Sequence, residues 1–93
     1  MGLPKDFLEE LLKMFYDDIE DKVSDLKNAI NKNDLQIICE ISHALKGLAG
    51  NIRFDEIYTL TSEAESKARD KIEYDYDKYL DNLKSLIEQY KIT

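Results

Sequence analysis

Leu35-Gln-Ile-Ile-Cys-Glu-Ile-Ser-His-Ala-Leu-Lys-Gly-Leu-Ala-Gly-Asn-Ile52 puts Leu35, Ile38, Ser42, Leu45, Ala49 and Ile52 at steps of three and four residues, with Ile41 and Leu48 on the flank. Such steps bring side chains to one side of an α-helix, whereas a half-buried strand needs steps of two. Gly50 and Asn51 tolerate the left-handed conformation that ends helices, so this helix is expected to stop near them. No segment of the chain sustains period-two alternation, which makes strands improbable.

The same period extends outward on both sides. Upstream, Leu8, Leu11, Leu12, Phe15, Ile19, Val23, Leu26 and Ile30 describe one buried face of a helix running from about Pro4 to Asn31, with Pro4 suited to its first turn. Asn31-Lys-Asn-Asp34 is a turn signal, and Asn33 or Asp34 can cap the helix that follows. Downstream, Phe54, Ile57, Leu60, Ala64, Ala68 and Ile72 mark a third helix, with Asp55 or Asn51 placed to help start it. Glu73 to Asp77 alternates Tyr with acids and reads as a junction; Tyr76, Leu80, Leu83, Leu86, Ile87 and Tyr90 give a fourth helix. Three glycines and one proline leave few places to turn. Four amphipathic helices joined by short loops imply an all-α fold, an antiparallel up-and-down four-helix bundle, in one domain spanning residues 1–93.

Composition narrows the function. Twenty acidic against thirteen basic residues give a formal charge of −7, the wrong sign for neutralising nucleic-acid phosphates or binding anionic membranes. No apolar run reaches the roughly 20 residues of a membrane-spanning helix, and the N-terminus lacks a secretion signal's pattern. A cytoplasmic, monomeric protein is expected. The single cysteine, Cys39, has no partner for an internal disulfide. The six Tyr and three Phe are read as core or core-edge residues, and the acidic runs Asp17-Asp18, Glu20-Asp21 and Glu73 to Asp77 as solvated faces.

His43, the only histidine, points roughly 130–150° away from the apolar stripe and therefore faces water. Lys46 and Gly47, three and four residues on, share its face, as do Gln36, Cys39, Glu40 and Gly50. Gly47 inside a helix costs about 1 kcal/mol relative to alanine, which calls for an offsetting benefit such as close approach of another molecule. These residue types suit reversible phosphoryl transfer. A neutral imidazole nitrogen is a competent nucleophile near neutral pH, and transfer depends mainly on positioning and charge stabilisation. His43 is then the phosphoryl acceptor and donor, Lys46 a stabiliser of phosphoryl oxygens, and Gly47 the clearance for a partner.

His-Ala-Leu-Lys-Gly-Leu-Ala-Gly-Asn-Ile, from His43 to Ile52, resembles the motif of histidine-containing phosphotransfer (HPt) domains, His-x-Leu-Lys-Gly followed by small residues. Leu26 to Asp34 is similar to that family's approach to its histidine helix, and Ile57, Leu60 and Ala64-Glu65 fall at its downstream apolar and Leu-Glu positions. The resemblance implies a four-helix bundle phosphorylated on His43 that exchanges phosphate with an aspartate of a response-regulator receiver domain, with a histidine kinase as a further partner. It implies no cofactor on this chain, Mg²⁺ being carried by the receiver. Gln36, Cys39, Glu40, Gly50 and Arg53 are the expected partner-contacting residues. The chain departs from the family pattern at Arg53, where glycine is common, and at Leu48, where a small residue is usual. Since a left-handed non-glycine residue costs about 1–2 kcal/mol, the bend is expected at Gly50 and Asn51 instead.

Other chemistries compete for these residues. Glu40-Ile-Ser-His43 has the Glu-x-x-His spacing of di-iron bundles, but those sites need a second pair and inward-facing carboxylates. Cys39 beside His43 supplies two ligands at most and closes no metal site. An acidic helical module that binds a receiver or kinase without accepting phosphate is the main alternative. No Gly-rich nucleotide loop is present, so the chain is expected to be a carrier without kinase activity of its own.

Overall fold

A computed structural model describes residues 5–92. Four helices follow in order: α1 (Lys5–Asn31), α2 (Leu35–Asn51), α3 (Asp55–Arg69) and α4 (Tyr76–Ile92). Connections of three, three and six residues force each helix antiparallel to the one before it. Each helix packs on its sequence neighbours and α4 closes against α1, so the bundle is a four-cornered ring, with α2 and α3 most intimately paired. No strand occurs among the described residues.

The core is the apolar stripe of each helix, led by Ile19, Leu26, Ile38, Leu45, Ala49, Ile57, Ala64 and Leu83, all fully or nearly fully buried. Phe15, Tyr16, Phe54 and Tyr90 close one end: Phe54 stacks on Tyr90 at 4.0 Å and meets Phe15 edge-on at 5.4 Å. One polar contact crosses the core diagonally. Ser42 Oγ of α2 and Tyr79 Oη of α4 lie 2.9 Å apart, both fully buried, and burial pushes the Tyr79 phenol strongly up in pKa. The pair fixes the rotation of α2 about its axis at the residue next to His43.

Helix starts follow local chemistry. Asp34 caps α2, its carboxylate accepting from the Ile37 amide at 3.2 Å, and Asp75 does the same at α4 with the Lys78 amide at 3.0 Å. Asn33, the other candidate cap for α2, instead terminates α1. Helix α3 has Phe54 at its cap position without a side-chain hydrogen bond, so neither Asp55 nor Asn51 serves there; Asp55 and Glu56 sit in the first turn, where the helix dipole favours them.

The ends of α1, α2 and α3 share one geometry. Asn33, Arg53 and Lys71 are left-handed (φ 55°, 61° and 57°), and each is followed by an amide that reaches back to a carbonyl of the last helical turn, Asp34 to Ala29, Phe54 to Ala49 and Ile72 to Lys67. This corrects the expected bend: Gly50 and Asn51 stay in the helix, no glycine among the described residues has positive φ, and Arg53 bears the turn. The cause is tertiary. Phe54 must enter the aromatic cluster of Phe15, Tyr16 and Tyr90, and that anchor sets the turn at the residue before it.

Two further expectations change. The α1 stripe is buried only from Phe15 onward, while Leu11 and Leu12 are exposed; the long α1 outruns the shorter α2 and α3, in a molecule 47 Å long and about 20 Å across. Pro4 and the Leu8 side chain lie outside the described residues. Ile72 follows the end of α3 and is exposed rather than part of its stripe.

Candidate functional site

The exposed line of α2 runs through Gln36, Glu40, His43, Gly47 and Gly50, each step three or four residues, as the opposite of the buried Ile38–Ser42–Leu45–Ala49 line. His43 stands well clear of the surface, its side chain 70% exposed. Its ring is nonetheless held. Nδ1 lies 2.6 Å from Oε2 of Glu65 on α3, and the other oxygen, Oε1, accepts from Lys46 Nζ at 2.5 Å.

Glu65 is the organising group. Its side chain is only 11% exposed, yet both oxygens are engaged. The hydrogen bond from Lys46 holds its carboxyl below the usual carboxylate range; burial opposes this, and the His43 contact reinforces it. An ionised carboxylate at Nδ1 selects the tautomer in which Nδ1–H donates, leaving the Nε2 lone pair towards solvent. The arrangement therefore offers an outward nucleophile with a fixed ring and a buried negative charge behind it.

Glu65 was not singled out for a role by the sequence. The available signal was a carboxylate embedded in the buried line Ile57, Thr61, Ala64 and Ala68, where a charge requires a partner. Lys46 is likewise less free than its helical position suggests, being half-buried over Glu65 rather than extended beside His43.

Apart from its chain neighbours and the backbone of its own helix, Gly47 has no atom within 4 Å of where a Cβ would stand. Packing does not demand glycine there, and the helix is weakened by it, so the space it leaves is open to an approaching molecule. At Gly50 a Cβ would meet the Tyr58 ring at 3.3 Å. Of the other expected contact residues, Gln36 and Glu40 share the His43 face, Cys39 is half-buried against the core, and Arg53 is exposed at the turn beyond α2. Leu48 is half-buried and packs on the core instead of widening the exposed face. Glu40 and His43 both point away from the bundle interior, which does not match the inward geometry of a di-iron site.

None of the described helices is long and apolar enough to cross a membrane. No curated protein and no solved structure shows significant similarity to the chain. A family model, the Hpt domain, matches residues 10–91, from the first turns of α1 almost to the end of α4. The chain belongs to the Hpt domain family, the phosphotransfer modules of two-component signalling.

Proposed function

We propose that this chain is a phosphocarrier in which Nε2 of His43 takes a phosphoryl group from, and returns it to, the aspartate of a receiver domain. The observation that carries the reading is the solvent-facing imidazole fixed through Nδ1 by Glu65, beside the open ground of Gly47. The Nε2 lone pair attacks phosphorus of the partner's aspartyl phosphate. The Nε2–P bond forms, the P–O bond to the partner breaks, and the partner's carboxylate leaves with that electron pair. The ring keeps its Nδ1 proton and becomes positive, and Glu65 stands opposite that charge. The reverse sequence hands the group on.

Lys46 has two tasks in this scheme. It holds Glu65 ionised in the resting protein, and its flexible ammonium is close enough to serve the phosphoryl oxygens once they arrive. Gly47 gives the partner room, with Gln36, Glu40, Gly50 and Arg53 around the landing area and Cys39 at its edge. Mg²⁺ belongs to the receiver, and this chain supplies no cofactor or kinase activity. A histidine kinase is the further partner, and the setting is a monomer in the cytoplasm.

The test is direct. Offered phosphoramidate or a phosphorylated receiver, the protein is expected to gain an acid-labile, base-stable adduct, and His43→Gln to gain none. A His43→Gln protein that still accepted phosphate would refute the assignment, and a parent that bound receivers without ever being modified would favour a non-phosphorylated docking module.

A further inference from the structure

Two contacts set the register of α2 against α3. At one level Glu65 reaches His43; at the other the Tyr58 ring meets Gly50 along one edge, its Cδ2 and Cε2 each 3.3 Å from the position of a Gly50 Cβ. Gly50 follows His43 by the same two turns by which Tyr58 precedes Glu65, so the levels lie about 10 Å apart along one antiparallel seam. Between them is Gly47, with nothing but its chain neighbours and its own helix backbone within 4 Å of its missing Cβ. The Thr61 hydroxyl is folded back onto the Ile57 and Tyr58 carbonyls of its own helix and presents no polar group to the seam. From the imidazole towards α3's N-terminal end the ground is therefore low, floored by two glycines, and bounded by an aromatic ring.

That ring is unusual in this molecule. Most of the described Tyr and Phe side chains are buried or half-buried; the exceptions are Tyr58, 44% exposed, and Phe7 near the start of α1. Its seat also has a cost, because glycine twice in one turn weakens α2 and neither glycine serves a left-handed backbone. A tyrosine held along one ring edge, with only two side-chain torsions to fix, loses little freedom when a second protein packs on it, which is why tyrosine concentrates binding energy at interfaces. In the other direction along α2 the surface rises to the side chains of Glu40 and Gln36. A partner that must bring a carboxylate onto Nε2 is thus able to come closest over Gly47 and Gly50.

We propose that Tyr58 is a specificity-determining contact: braced against Gly50, its ring packs on an apolar side chain of the visiting receiver domain and so fixes how that partner sits over His43. This rests on the phosphocarrier reading. Tyr58 touches the partner and not the reacting atoms, so it governs docking and leaves the reactivity of the imidazole unchanged.

The experiment uses the full chain, its Tyr58→Ala and Tyr58→Phe variants, and the receiver domains of the source organism. The Kd for the tightest-binding receiver is expected to rise about tenfold or more in Tyr58→Ala and to stay within about twofold in Tyr58→Phe. In transfer from that phosphorylated receiver, KM rises and kcat stays within about threefold. Modification of His43 by phosphoramidate, which needs no docking, is expected at the parent rate in all three proteins. A Tyr58→Ala protein with parent Kd overturns the proposal, as does a parent that binds no receiver. A parent that binds a receiver but is never modified by either donor defeats the phosphocarrier reading alone, and the Kd comparison still decides on Tyr58.

Discussion

At the residue scale, the site is one imidazole whose two nitrogens have been given different tasks by a carboxylate on the neighbouring helix. Glu65→Gln keeps the shape and much of the hydrogen bonding but removes the charge facing the His43 ring, which the proposed transfer would make positive. Modification of His43 by phosphoramidate is expected to slow by about tenfold to a hundredfold, measured as the initial rate of adduct formation. The same substitution has a pH signature. Because the folded protein holds the Glu65 carboxyl below its unfolded range, its contribution to stability is present above the unfolded pKa of about 4.3 and is lost as pH falls through the lower folded value. The parent is expected to melt higher than Glu65→Gln at pH 7, with the gap narrowing as pH falls below the unfolded carboxyl value; a gap that held constant would show the charge to be unimportant to the fold. His43 and Gly47 were legible in the sequence because a lone histidine and a helix-interior glycine stand out against a period of 3.6. Glu65 was not, since its meaning depends on which helix α3 faces, a fact that no local pattern of α3 contains.

At the element scale, caps formed by a local hydrogen bond were easier to read than the turns that follow the helices. Asp34 caps α2 through a hydrogen bond three residues long, entirely local, and Asp34→Ala is expected to cost about 1 kcal/mol in chemical denaturation. The ends depend on more distant events. Arg53 is left-handed because Phe54 is anchored in an aromatic cluster fed by α1 and α4, so the glycine nearby in sequence was a misleading guide. Lys71, exposed and outside the site, offers a clean measure of what such a turn costs. Lys71→Gly is expected to stabilise the protein by about 1 kcal/mol, raising the thermal midpoint by about 4–8 °C, because glycine escapes the steric penalty at φ 57°. The stripe on α1 correctly identified a helix, but its exposed Leu11 and Leu12 show that periodicity reports a face and not its depth. Depth came from helix lengths, which place the beginning of α1 past the α2–α3 turn.

At the scale of the whole molecule, the four stripes converge on one apolar interior crossed, among the described residues, by one buried hydroxyl pair, Ser42 with Tyr79. Ser42→Ala strands the Tyr79 hydroxyl in the core and is expected to destabilise by about 1–3 kcal/mol; Tyr79→Phe strands Ser42 similarly. The double variant should lose less than the sum of the two, a coupling readable from denaturant midpoints. Ser42 precedes His43 in the chain, so the bond that locks the angle of α2 lies on the reverse side of the same turn that presents the imidazole. A genetic screen for broken signalling would accordingly recover lesions at Tyr79, far along the sequence and sealed from solvent. Such alleles would keep every surface residue intact while aiming the imidazole a few degrees off target.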